Sequence, residues 1–239
     1  VTAVDGVPAA GSDPAAPDAT GAGPSVPPGV GEALGRLVAV MDRLRSPGGC
    51  PWDAEQTHAS LVPYVLEEAH EVAEAIERDD RANLREELGD LLLQVVFHAR
   101  IAQEDPDDPF DVADVADELV AKLVRRHPHV FGDGIALSDA DGVHRQWERI
   151  KKTEKQRESV LDGVPLALGA LARAQKIAGR AARAGLDVAP PASAALGDRL
   201  LALALEARDA GLDAEGELRR AARTWEDGLR AAERTTPPA

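Results

Sequence analysis

Five carboxylates at helical spacing are the residues of this sequence best placed to do chemistry. Glu67, Glu68 and Glu71 form one group, and Glu87 and Asp90 a second. At about 100° per residue the first three fall within one narrow arc of a helix. That arc alone carries little, because an acidic face is what any solvated helix presents. The second group has a different setting. Leu88, Leu91, Leu92, Leu93, Val95, Val96 and Phe97 surround their helix almost completely, the pattern of a buried helix. Glu87, Asp90, Gln94 and His98 form its only polar stripe, and no Lys or Arg lies at helical spacing along it. Ionised carboxylates so placed cost several kcal/mol unless a partner or a cation meets them. A hard divalent ion, Mg²⁺ or Mn²⁺, held by oxygens of both helices would resolve the conflict. The alternative is one solvated acidic face and one capped helix start.

The elements that must position these groups read as helices. A first helix is expected from about Gly31 to Arg45, with Leu34, Leu37, Val38, Met41 and Leu44 on one face, ended by Ser46-Pro47-Gly48-Gly49. A second runs from about Ser60 to Arg78, with Pro63 tolerated in its first turn. Asn83-Leu84-Arg85-Glu86 has capping-box-like spacing and predicts the start of a third, which reaches about Gln103. Asp111 can cap a fourth, which must stop before His127-Pro128. A fifth, highly charged helix is expected over 139–157. A turn at Gly163-Val164-Pro165 then opens an alanine-rich region. Residues 1–30, rich in Ala, Pro, Gly and Asp, are expected to be a disordered tail.

Composition narrows the class. Aromatic residues are 3% of the 239, so Leu, Val, Ala and Ile must build the core, and no run of alternating β-branched residues suggests a strand. The expectation is an all-α protein. The net charge of −15 argues against a nucleic-acid partner, which would need a basic surface. Cys50 is the single cysteine and cannot form an internal disulfide, which suits a reducing, cytoplasmic setting. No stretch has the length and apolarity to span a bilayer, and the N-terminal residues lack the basic start and apolar core of a signal peptide, so no membrane association is expected.

Glu67-Glu68-x-x-Glu71 followed by Glu87-x-x-Asp90 resembles the metal signature of the MazG family, the all-α nucleoside triphosphate pyrophosphohydrolases. Gly49-Cys50-Pro51-Trp52-Asp53, Glu55-Gln56-Thr57, Arg125-Arg126-His127-Pro128-His129-Val130-Phe131 and Trp147-x-x-x-Lys151 are similar to that family's first module. The resemblance is close over about 37–155, and Ala174-Gln175-Lys176-Ile177 resembles the segment between modules. It implies Glu68, Glu71, Glu87 and Asp90 as ligands of Mg²⁺, with Mn²⁺ as a substitute. It implies Glu67 beside them, either Glu67 or Glu71 accepting the proton of an attacking water, and hydrolysis of NTP to NMP and pyrophosphate. Lys122, Arg126 and Lys151 match positions that meet the triphosphate, and Trp147 is placed to stack on base or ribose. Without the resemblance, Lys122, Arg125 and Arg126 read as compensation of a helix dipole and Trp147 as packing.

Leu88-Gly89-Asp90-Leu91-Leu92-Leu93 returns as Leu196-Gly197-Asp198-Arg199-Leu200-Leu201. The family commonly carries two tandem modules, so 31–158 reads as a catalytic MazG-like helical bundle and 159–239 as a degenerate second helical module. Ala195 stands where Glu87 does and Ala202 where Gln94 does. One surviving carboxylate, Asp198, makes no magnesium site. A homodimer is expected, partly from the family and partly because few aromatics leave a small core that pairing enlarges. Two other readings compete. One is a di-iron bundle, which needs a second Glu-x-x-His besides Glu67-x-x-His70 and lacks it. The other is a nucleotide-sensing or partner-binding module without turnover.

Overall fold

The computed structural model describes residues 27–132 and 158–235, with positions 142, 143, 146 and 150 between them. The expected tail lies outside the described residues up to 26, and so does most of the expected helix over 139–157. Every regular element among the described residues is helical. None of these helices is long and apolar enough to cross a membrane. The chain divides into two compact units, Val1–Trp147 and Glu148–Ala239.

In the first unit, α1 (Val30–Arg45) stops where Ser46 turns extended ahead of Pro47. The reversal after it needs glycine: a Cβ on Gly49 would lie 2.2 Å from the Leu44 carbonyl oxygen. Cys50 N–H donates to that same carbonyl, which brings α2 (Pro51–Glu55) back along α1. α3 (Val62–Glu77) carries Pro63 in its first turn, as expected. α4 (Arg81–Ala102) and α5 (Val112–Arg126) follow, and α5 stops before His127-Pro128 as expected, with the short α6 (Pro128–Phe131) after it. Asp111 caps α5 as expected, accepting from Ala113 N–H and Asp114 N–H while Asp114 reaches back to Asp111 N–H.

The start of α4 corrects the expected one. Asp80, not Asn83, is the cap, with its Oδ1 accepting from Ala82 N–H and Asn83 N–H. The same residue ends α3, because its N–H donates to Ala75 O while Asp79 takes a left-handed φ of 54°. One aspartate therefore serves two helix ends, and only three residues separate α3 from α4. So short a link makes the two an antiparallel hairpin.

Met41, Leu61, Val96 and Phe97 form the core of this unit, with Leu37, Val38, Leu93, Ile101 and Val112 packed around them. α1 and α3 thus cover two sides of α4. The expectation that α4 is buried all round fails on its remaining side, where Leu88, Leu92 and Val95 are 50%, 36% and 44% exposed.

The second unit holds α7 (Ala170–Arg183), α8 (Leu196–Asp209) and α9 (Ala214–Thr235). Gln175 ties them together. Its Nε2 donates to Ala204 O and Leu212 O, and its Oε1 accepts from Ala214 N–H. Arg180 holds the preceding loop through Val160 O, Asp162 O and Gly163 O. The recurring Leu196-Gly197-Asp198 opens α8, whereas Leu88-Gly89-Asp90 lies well inside α4.

Candidate metal centre

The hairpin positions the carboxylates. Residues three and four apart share a helix face, so Glu68 and Glu71 project from α3 toward the side from which Glu87 and Asp90 project on α4. Pairing across the hairpin brings Glu71 level with Glu87. Oxygens of Glu68, Glu71 and Glu87 all lie within 4.8 Å of one another. Asp90 lies outside that group of three, and its charge is the largest of those acting on Glu68.

This crowding has an electrostatic cost. Burial raises the Glu68 carboxyl above its ordinary value of 4.5, and the charges of Asp90, Glu71, Glu87 and Glu67 raise it further. Glu87 is raised likewise, first by burial and then by Glu71 and Asp90. The charges that raise these two residues are those of neighbouring carboxylates. Carboxylates brought this close repel one another unless one takes up a proton or a cation stands between them. A hard, oxygen-seeking divalent ion fits this donor set, because three carboxylates converge from two helices.

Of the other residues singled out in the sequence, Glu67 is exposed beside this ring. Lys122 and Arg126 sit half-buried one turn apart on α5. Trp147 and Lys151 lie outside the described residues.

Two features near the hairpin carry weight that spacing alone does not show. The Trp52 ring meets Tyr64 edge-on at 6.0 Å and Phe97 at 6.4 Å. Gln94, one turn beyond Asp90, is 6% exposed, and its buried Oε1 has no hydrogen-bond partner. The polar stripe marks Gln94, but nothing in the pattern says that its amide is left unsatisfied.

Comparison with known proteins agrees with this geometry. The model of the MazG nucleotide pyrophosphohydrolase domain matches residues 56–131, the stretch that contains all five carboxylates. A nucleoside triphosphate pyrophosphohydrolase of Escherichia coli K12 is 50% identical over 158 residues, covering 64% of this chain and 59% of that protein. One of Mycobacterium tuberculosis is 47% identical over 205 residues, covering 85% of this chain and 59% of that protein. An uncharacterized 26.1 kDa protein from the blaB 3' region of Streptomyces cacaoi is 54% identical over 205 residues, covering 85% of this chain and 84% of that protein. The chain thus spans about three fifths of the length of the two pyrophosphohydrolases.

Proposed function

This chain belongs to the MazG nucleotide pyrophosphohydrolase family, and from that premise we propose that it hydrolyses nucleoside triphosphates to NMP and pyrophosphate in a metal-dependent reaction. The observation that carries the reading is the convergence of Glu68, Glu71 and Glu87 within 4.8 Å. Glu68, Glu71, Glu87 and Asp90 would hold Mg²⁺, and Mn²⁺ suits the same oxygen set. Bound there, the ion would offset charge on the phosphate oxygens and lower the pKa of the attacking water.

The chain's own residues supply the rest. Glu67, exposed beside the ring, or Glu71 within it accepts the proton as water attacks the α-phosphorus. Lys122 and Arg126 from α5, together with Lys151, meet the triphosphate, and Trp147 lies against base or ribose. The substrate is a free nucleotide rather than a nucleic acid, in keeping with the net charge of −15. Residues 31–158 form the catalytic MazG-like bundle. Residues 159–239 form a second module whose site has decayed, with Ala195 in place of Glu87 and Asp198 hydrogen-bonded to the Ser193 hydroxyl.

The active species is a homodimer. Val62, Leu66 and Ile76 of α3 are exposed, as are Leu88, Leu92 and Val95 of α4. At helical spacing the two sets fall on the same side of the hairpin, and a second copy would bury them.

Product analysis with a panel of NTPs and dNTPs, with and without Mg²⁺, tests the reading. NMP and pyrophosphate in wild type, lost in Glu71→Ala, is the expected result. NDP and phosphate would move the attack to the γ-phosphorus and defeat it. Binding without turnover would replace it with a nucleotide sensor.

A further inference from the structure

The side of α4 turned away from the carboxylates carries a cavity. At about 100° per residue Val96, Ala99 and Gln103 fall on the face opposite Glu87 and Asp90. With residues of α1 and the start of α5 they line a space of about 290 Å³. Arg100 reaches Asp42 and Glu104 reaches Arg45, so α1 and α4 run parallel here and the cavity lies in the groove between them. α1 leaves that space open. A Cβ added to Gly35 would meet nothing within 4 Å, and Ala39, one turn on, is small and exposed.

Two kinds of surface meet in this groove. Its floor is apolar: Val96 and Ala99 are buried, with half-buried Val38 and Val112 beside them. Its rim is charged. Arg100 Nε donates to Asp42 Oδ1 at 2.8 Å, and Arg100 Nη1 donates to Glu104 Oε1 at 2.9 Å. Arg100 Nη2 and Asp42 Oδ2 have no partner among the described residues. Arg45 pairs with Glu104 in turn, so the four groups carry no net charge. A ligand of net charge would upset that balance. One that bears both signs side by side can offer a cation to the free oxygen and an anion to the free nitrogen. At about 290 Å³ the space falls just below the range of drug-sized ligands, which fits a small metabolite.

We propose that the α1–α4 groove binds a free α-amino acid with a branched aliphatic side chain. Its ammonium group donates to Asp42 Oδ2, its carboxylate accepts from Arg100 Nη2, and its side chain lies on the apolar floor. Both polar ends are needed. A bare amine would face the Arg100 guanidinium and a bare carboxylate would face Asp42, so either alone meets a like charge beside its partner. The side chain adds the contribution of apolar burial. This site lies apart from the carboxylates and stands whether or not the chain hydrolyses nucleotides.

Calorimetric titration of the whole chain tests this. Wild type is titrated at millimolar concentration with L-leucine, L-isoleucine and L-valine. It is also titrated with isocaproate, isoamylamine and glycine, which lack leucine's amine, its carboxylate and its side chain in turn. The expected result is saturable binding of at least one of the three amino acids, with each truncated ligand about tenfold or more weaker. Ala39→Leu fills the groove from its exposed rim, and Asp42→Asn removes the partner of the ammonium group. Each should weaken binding about tenfold or more. Both positions are exposed, so the melting temperature without ligand should stay close to that of wild type. If one variant loses its melting transition, the other decides. No saturable binding by wild type overturns the site. So does undiminished binding in a folded Ala39→Leu or Asp42→Asn, which places the amino acid elsewhere. Isocaproate, isoamylamine or glycine binding as tightly as leucine overturns the match of both polar ends and side chain.

Discussion

His58 and His98 meet Nδ1 to Nδ1 at 2.7 Å across 40 residues of sequence, with their rings within 1° of parallel. The ring centroids are 5.0 Å apart, which that contact allows only if the rings extend away from each other in a common plane. Such a bond needs one donor and one acceptor, so both rings cannot carry a proton on Nδ1. The contact ties the segment leading into α3 to the distal half of α4. Burial and the nearby His58 hold His98 below its ordinary value of 6.5. Asp105 also feels His58, but two backbone N–H groups, of Asp107 and Asp108, already engage it.

The stability consequence has a definite sign. Above pH 6.5 His98 is neutral whether folded or unfolded, and the linkage contributes nothing. Below that, the unfolded chain takes up a proton that the fold resists, so stability falls as pH drops from 6.5 toward the lowered folded value. Urea midpoints between pH 7.5 and 5.5 should therefore decline in wild type. His98→Phe should flatten the decline; an unchanged slope would show that the pair is not its source.

Removing a carboxylate from the ring should have opposite effects with and without metal. In EDTA, Glu87→Gln loses a charge that Glu71 and Asp90 repel, so its melting temperature should match or exceed that of wild type. With Mg²⁺ the order should reverse, since wild type gains about 2.7 kcal/mol at a hundredfold excess over Kd and the variant loses a ligand. A variant that still gains the full Mg²⁺ increment would place the ion elsewhere.

A charge on the bare side of the hairpin should separate the subunits. Leu92→Glu replaces a side chain that is 36% exposed in one copy, so the monomer tolerates it within about 1 kcal/mol. Burying that carboxylate against a partner would cost several times more. Sedimentation equilibrium should give twice the chain mass for wild type and the single chain mass for the variant. Wild type at the single mass would remove the dimer.

What the sequence reveals divides along physical lines. Asp111 and Pro128 bound α5 through contacts with their own neighbours, so local spacing is enough to find them. The five carboxylates are legible for the same reason, since helical spacing alone groups each set. The start of α4 is not, because Asp80 is recruited by the end of α3 as well as by α4, a double duty that a capping pattern at Asn83 does not register. Leu88, Leu92 and Val95 show a different limit: periodicity reports which face is apolar, not what covers it. The His58–His98 contact and the Trp52–Tyr64 pair exist only once the hairpin and the α2 segment are in place, and no short-range pattern encodes them.

Arg45 should be the most sensitive position outside the carboxylate ring. Its side chain is 7% exposed and engages four residues at once. Nε and Nη2 donate to the two oxygens of Glu104, Nη1 donates to the carbonyls of Asp53 and Gln56, and the guanidinium lies 5.9 Å from the Phe97 ring centre. Lysine can meet one of these demands but not the planar, forked set. Arg45→Lys should therefore cost about 2 kcal/mol, mostly from backbone carbonyls left without donors, with the half-exposed Glu104 pair adding little. Glu104 adds a pH signature. The Arg45 hydrogen bond holds its carboxyl below 4.5, so this stabilisation is present above pH 4.5 and lost as pH falls through the lowered folded value. Denaturant titrations at pH 7 and pH 3.5 should show a smaller gap between wild type and variant at the lower pH. A gap that does not change with pH would assign the loss to the carbonyls alone.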